Sequence, residues 1–287
     1  ERGSSTPDTR AVPIEMPRLS TEEGTATLSA WLVAVGDRVE KGSLIAELET
    51  DKATVELEAP VEGRIESLQV AAGTEGLKPG TLLITDYKNG LMQLDVATGA
   101  VTPYLQRRNS ERFKGVNDLI FDAEGNLYFT DQGQSGLHDP SGRLYRLRPN
   151  GQLDLLLHNV PSPNGVALSP DGRVLYLAVT RGNCVWRVPL LPDGSVAKVS
   201  QFFTSYGPSG PDGLAVDAEG RLLMANPGLG YVWVLNHRAE PVQVLRGAPG
   251  SSTTNLAFGG AGRRTVYVTD STHGRVLRAE MSAAGLP

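Results

Sequence analysis

Four short polar residues recur at nearly equal intervals: Asn117, Asn164, Asp212 and Asn255, separated by 47, 48 and 43 residues. Each opens an apolar run, as in Asn117-Asp118-Leu119-Ile120-Phe121, Asn164-Gly165-Val166-Ala167-Leu168 and Asp212-Gly213-Leu214-Ala215-Val216. Amide and carboxylate oxygens of this kind, brought to one point, suit a hard divalent cation such as Ca2+ or Mg2+. The same residue types before a strand also act as turn formers that bond local backbone, so the spacing leaves both roles open. A fifth residue stands apart. Lys52 lies between Leu44-Ile45-Ala46-Glu47-Leu48-Glu49 and Thr54-Val55-Glu56-Leu57-Glu58-Ala59, with Gly42 ten residues before it and Gly63 eleven after. An ε-amine at such a midpoint can carry a covalent group on a long arm, although most lysines are simply solvated.

The elements that would position these residues are strands. Around Lys52 apolar and acidic residues largely alternate, which predicts half-buried strands joined at Thr50-Asp51-Lys52-Ala53. From Leu83 onward each polar opener is followed by a strand, a turn such as Ala123-Glu124-Gly125-Asn126 or Pro170-Asp171-Gly172-Arg173, and a second strand. A third strand follows, as in Gly142-Arg143-Leu144-Tyr145-Arg146-Leu147. A unit of about 45 residues holding several short strands predicts a β-propeller blade. In a propeller the first strand of each blade runs beside the central channel, so the four openers are expected to converge at one mouth. The fold class expected is all-β: a small barrel or sandwich followed by the propeller.

The N-terminal module resembles the lipoyl domain of 2-oxo acid dehydrogenase complexes over about seventy residues. Pro13-Ile14-Glu15-Met16-Pro17, Ala30-Trp31-Leu32-Val33 with Gly36-Asp37-Arg38-Val39, and Glu49-Thr50-Asp51-Lys52-Ala53 carry the likeness, which runs to Gly73-Thr74-Glu75-Gly76. Related biotinyl domains place Met on both sides of the lysine; Asp51 and Ala53 depart from that pattern. The resemblance implies lipoate attached covalently to Lys52. It also implies a lipoate ligase and 2-oxo acid dehydrogenase components as partners.

The remainder is similar to the gluconolactonase, senescence marker protein and luciferin-regenerating enzyme family. Thr85-Asp86-Tyr87, Phe113-Lys114-Gly115-Val116-Asn117-Asp118-Leu119, Leu127-Tyr128-Phe129-Thr130-Asp131, Ser162-Pro163-Asn164-Gly165 and Gly210-Pro211-Asp212-Gly213 carry this likeness. It implies a six-bladed propeller with a divalent metal, Ca2+ foremost, that hydrolyses sugar lactones and related esters. Residue by residue, it implies Asn164 and Asp212 as metal ligands, Asp212 also as base, and Asn117 as a substrate-side polar residue. The family's remaining ligand, a glutamate in a Glu-Gly-Pro type motif near the propeller's start, has no counterpart. The Glu-Gly pairs here fall inside the lipoyl framework or, at Glu124-Gly125 and Glu219-Gly220, in blade turns. The expected organisation is a leader over 1–12, a lipoyl module over 13–82 and a fused propeller over 83–287. The propeller would open in mid-blade and hold about four and a half blades. With one anionic ligand missing, weak metal binding and little or no lactonase activity are expected. The rival reading is a lipoyl carrier or docking protein whose propeller is an inactive scaffold.

Charge and composition narrow the classes further. Residues 13–82 carry six Lys and Arg against thirteen Asp and Glu; residues from 83 onward carry nineteen against seventeen. An acidic module on a near-neutral body argues against nucleic acid as partner. No run of 18 apolar residues predicts a membrane span, and no apolar h-region marks a secretory signal. The single cysteine, Cys184, allows no internal disulfide and fits a reducing, cytoplasmic setting. No Gly-x-Ser-x-Gly elbow, phosphate loop or dinucleotide fingerprint is present.

Overall fold

The computed structural model describes residues 26–49, 54–65, 81–96 and 98–286. Near the N-terminus, β1 (Thr27–Trp31), β3 (Leu44–Glu49) and β4 (Thr54–Glu58) form one antiparallel sheet, and β2 (Arg38–Val39) pairs with β5 (Gly63–Arg64) in another. Ala26, Leu28, Ala46 and Leu48 are buried behind the first sheet. Glu47 lies opposite Glu56, and Glu49 opposite Thr54, so the four residues that include Lys52 connect a paired hairpin. Those four residues, and with them the expected attachment point, lie outside the described residues.

Beyond residue 80 the sheets follow one another in chain order. The first is β6 (Thr81–Asp86), β7 (Gly90–Asp95) and β8 (Val101–Leu105), followed by a short ribbon of β9 (Arg107–Arg108) and β10 (Glu111–Arg112). Three four-stranded sheets come next. They are β11 (Val116–Phe121), β12 (Leu127–Asp131), β13 (Gly142–Leu147) and β14 (Leu153–Val160); then β15 (Pro163–Leu168), β16 (Val174–Val179), β17 (Cys184–Pro189) and β18 (Ser200–Thr204); then β19 (Leu214–Val216), β20 (Leu222–Asn226), β21 (Tyr231–Leu235) and β22 (Pro241–Arg246). The last described sheet is β23 (Thr253–Gly259), β24 (Thr265–Asp270) and β25 (Arg275–Glu280). Every strand pairs antiparallel with the next within its sheet, as a propeller blade requires.

The sequence explains why these strands sit where they do. β15 and β16 are buried at every position, because sheets pack against both of their faces. Their apolar runs are accordingly nearly continuous rather than alternating. β25, at the rim, alternates between exposed and part-buried residues. The turns are those the sequence predicts. Asp122 Oδ1 accepts the Glu124 and Asn126 N–H groups while Gly125 takes a left-handed φ of 79°. Asp217 repeats the device with Glu219, Arg221 and Gly220.

Between sheets lie apolar layers. Leu144, Val160, Val166 and Leu177 fill one gap, Leu214, Leu222, Met224 and Val185 the next. Threonine hydroxyls add a polar stitch beside the channel strands. Thr85 Oγ1 donates to the Asn117 carbonyl at 2.6 Å, Thr130 Oγ1 to that of Asn164 at 2.8 Å, and Thr180 Oγ1 to that of Pro211 at 2.7 Å. Each bond runs from one sheet to the opening of the next, so neighbouring blades fix the height of the polar openers. Cys184 is buried and free, and burial pushes its thiol up, away from reactivity. Among the described residues no helix is long and apolar enough to cross a membrane.

Candidate metal and hydrolytic site

Two of the openers meet. The Asn164 side chain lies close enough to the Asp212 carboxylate to favour its charged form. Asn164 sits at the second position of β15 and is 7% exposed; Asp212 precedes β19 and keeps part of its surface open. Their backbones are clamped as well, with the Gly165 N–H donating to the Asp212 carbonyl at 3.2 Å and the Asp212 N–H to Ala225 O at 2.9 Å.

A third residue, the second to bear a carboxylate, belongs to the cluster, and the spacing argument did not single it out. Asp118 follows Asn117, and its Oδ2 accepts the Val166 N–H at 2.9 Å, reaching across from β11 to β15. Burial pushes its carboxyl up to about 6, against the pull of the Val166 and Leu119 N–H groups. Burial likewise raises Asp212 to about 7, with the Asp118 charge adding to the rise and the Asn164 side chain opposing it. Among the described residues no Lys, Arg or His offsets either charge. The signal that could have revealed Asp118 is its place. The residue after the opener is Gly at 165 and 213, but Asp at 118.

The other two openers behave differently. Asn117 is part-buried and its Nδ2 donates to Gln132 Oε1 at 3.1 Å. Asn255 is exposed, and its Oδ1 accepts the adjacent Leu256 N–H at 2.8 Å, the local turn-forming role that the sequence left open. Asn255 also lies tight against Gly213, where a methyl group would stand 2.2 Å from its Oδ1.

The raised carboxyls carry a stability consequence. A carboxyl whose pKa is higher in the folded chain favours folding at acid pH, and that contribution is lost as the pH rises through the folded value. The cation-free protein is therefore expected to lose Tm between about pH 4 and 7, as Asp118 and Asp212 ionise without a counter-charge. Thermal melts of wild type and Asp212→Asn at matched pH check this: the variant should gain on the wild type as pH rises. A gap independent of pH would contradict the assignment.

The donor set is all oxygen: the Asp212 carboxylate, the Asn164 amide, which presents oxygen in place of NH2 after a half-turn, and Asp118 behind. That chemistry, with two desolvated carboxylates and no basic neighbour, fits a hard divalent cation. Among the described residues no group of three or more His, Cys, Asp or Glu side chains is gathered for a metal, so water would complete the shell. Two grooves on the described residues, one lined by Leu157, Asn159, Trp186 and Gln201 and one by Arg146, Asp154 and Asp193, lie apart from this cluster.

Residues 41–272 match the SMP-30/Gluconolactonase/LRE-like region family model. Gluconolactonase of Zymomonas mobilis is 29% identical over 220 residues, which is 69% of this chain and 61% of that protein. Lactonase drp35 of Staphylococcus haemolyticus is 35% identical over 138 residues, 45% of this chain and 41% of that protein. The chain thus spans less than two thirds of the length of these curated relatives, 61% of one and 41% of the other. Among solved structures, a calcium-binding regucalcin from Agrobacterium tumefaciens superposes with a TM-score of 0.63 at 25% identity, covering 84% of each chain. A luciferin-regenerating enzyme gives the same TM-score at 19% identity over 91% of this chain and 93% of its own, a likeness of fold. With the family model covering most of its length, and with an all-β chain of successive antiparallel sheets, this protein belongs to the SMP-30/gluconolactonase/LRE-like family.

Proposed function

We propose that the chain hydrolyses a sugar lactone or related ester with the help of a divalent cation, Ca2+ foremost, held by Asn164 and Asp212. One observation carries this reading: the contact between Asn164 and Asp212, desolvated and backed by Asp118, with no basic side chain to balance it. A cation bound there would polarise the lactone carbonyl and acidify a water. The chain's own groups do the rest. Asp212, whose carboxyl ionises near neutral pH in the free site, takes up the proton of the attacking water. Asn117 orients the substrate. Asp118 stays behind the pair as a fixed negative charge. With two carboxylates and no third anionic ligand, the affinity for Ca2+ belongs in the weak range, about 10⁻⁴ to 10⁻³ M.

The test is hydrolysis of sugar lactones, alkyl lactones and aryl esters, each followed with Ca2+ added and with chelator. Turnover should rise with cation into the millimolar range and vanish with chelator. Turnover indifferent to chelation, or none on any substrate at about 10 mM Ca2+, would contradict the proposal.

A second reading rests on the hairpin. Glu49 pairs with Thr54, leaving four residues with Lys52 among them as the connection. We read residues 13–82 as a lipoyl carrier module that takes lipoate on Lys52, with a lipoate ligase and 2-oxo acid dehydrogenase components as partners in the cytoplasm. A tethered group gains an effective concentration in the millimolar range. Among the described residues the propeller, on this reading, opens at β6 without its innermost strand, since Thr85-Asp86 ends β6 as Thr130-Asp131 ends the second strand β12. The family match begins at residue 41 and so shares part of that segment, which makes modification the deciding measurement. Intact mass after treatment with lipoate ligase should rise by one lipoyl group, and the rise should disappear in Lys52→Arg. An unchanged mass, or a label on another lysine, would remove the carrier reading.

A further inference from the structure

Asn117 can serve a substrate with its amide oxygen or with its NH2, and these demand opposite partners. An isolated asparagine side chain turns between the two. Here one orientation is held by a chain of bonds that starts outside the cluster. Asn117 Nδ2 donates to Gln132 Oε1 at 3.1 Å, and Gln132 Nε2 donates to Ser162 Oγ at 2.8 Å. Gln132 is itself pinned at both ends of its backbone. Its N–H donates to the Gly115 carbonyl at 2.8 Å, and its carbonyl accepts the Ser135 hydroxyl. Ser135 Oγ in turn accepts the Ser162 N–H at 3.1 Å, closing a loop of polar contacts between the residues that follow β12 and those that precede β15. Ser162 is buried and held at a left-handed φ of 60°, a conformation a non-glycine residue adopts at a cost unless its surroundings impose it.

We infer that Gln132 is a positioning residue: by accepting from Asn117 Nδ2 it turns the Asn117 amide oxygen away from itself and fixes that oxygen as the group offered to substrate. Its other amide end rests on the Ser162 hydroxyl, which ties the Gln132 side chain in place. The site so built presents an acceptor at Asn117, which selects a ring hydroxyl of a polyol lactone, a donor, over an alkyl lactone that has none. This inference deepens the proposed lactone hydrolysis and rests on it for substrate preference; the orientation of Asn117 stands on the hydrogen bonds alone.

Two measurements separate these parts. The first is the side-chain amide of Asn117 in ¹H–¹⁵N spectra, assigned by its disappearance in Asn117→Ala. In wild type its two protons should be well separated and one protected from exchange. Gln132→Leu should collapse that signature, Gln132→Glu, which keeps the acceptor, should retain it, and Ser162→Ala should broaden it. An Asn117 amide unchanged in Gln132→Leu overturns the inference; should that variant not fold, the Glu and Ala variants give the same decision. The second is kcat/KM for a hydroxylated sugar lactone against an alkyl lactone. Gln132→Leu should lose roughly fivefold to tenfold on the former, the worth of one neutral hydrogen bond, and little on the latter. The loss should vanish in an Asn117→Ala background. Equal losses on both lactones overturn the substrate preference. If no variant, nor the wild type, hydrolyses any lactone, the proposed function fails while the amide spectra still decide the role of Gln132.

Discussion

Asp212→Asn is expected to lower kcat/KM for lactone hydrolysis about a thousandfold, a loss in the range that removal of a general base produces. The substitution keeps the shape of the side chain and its neighbour Asn164, so the fold is retained. It removes the anion that would hold a cation and the only carboxylate of the Asn164–Asp212 contact. Because Asp118 raises the Asp212 carboxyl electrostatically, the same variant should leave Asp118 easier to ionise. Initial rates at saturating Ca2+ measure the effect. A loss below about tenfold would place the chemistry elsewhere.

The second large effect comes from a residue that does no chemistry. A methyl group at Gly165 would lie 2.3 Å from the Asp212 carbonyl oxygen, 2.7 Å from Leu214 N and 2.8 Å from Gly213 Cα. All three are backbone atoms, which cannot rotate aside. Gly165→Ala must therefore push β15 from the segment that opens β19, at an expected cost of roughly 3 kcal/mol for overpacking. That corresponds to a fall in Tm of order 10 °C for a chain of this size. Parting the two segments also parts Asn164 from Asp212, so activity should fall with stability. Gly172 gives the contrast. It sits at a left-handed φ of 65° in the β15–β16 turn with open space around it, so Gly172→Ala should cost about 1 kcal/mol of backbone strain and leave activity intact. Calorimetry of the two variants separates close approach from conformational preference.

The sequence made the sheets readable because their period and their turn chemistry agree. Asp122 with Gly125, and Asp217 with Gly220, mark the same turn in two separate blades, and both form as expected. Spacing grouped four strand openers at blade intervals, and the family likeness singled out Asn164 and Asp212 among them. Asp118 escaped that argument for a physical reason. In a regular strand its side chain would point opposite to that of Asn117. β11, however, shifts register between Val116 and Leu119, and the Asp118 N–H turns to the Thr130 hydroxyl at 3.0 Å instead of the ladder. The same irregularity recurs in β15 between Pro163 and Val166. Such bulges re-aim side chains near sites, and no alternation pattern reports them. The charge accounting changes with Asp118: the sequence argument set one carboxylate against a divalent cation, and the structure supplies a second nearby. Gln132 escaped for another reason, since its side-chain contacts, to Asn117 and Ser162, are long-range in sequence. The N-terminal module was legible as alternating strands, and the hairpin from β3 to β4 forms where the alternation placed it.

The most direct test of the account is calorimetric titration of Ca2+ into the cation-free chain at pH 7.5, beside Asp212→Asn and Asn164→Ala. One site is expected, with a dissociation constant of about 10⁻⁴ to 10⁻³ M in wild type, proton release on binding, and no measurable binding in either variant. Wild-type affinity that survives both substitutions, or a wild type that binds no divalent cation at all, would contradict the assignment of Asn164 and Asp212 as the metal and hydrolytic site.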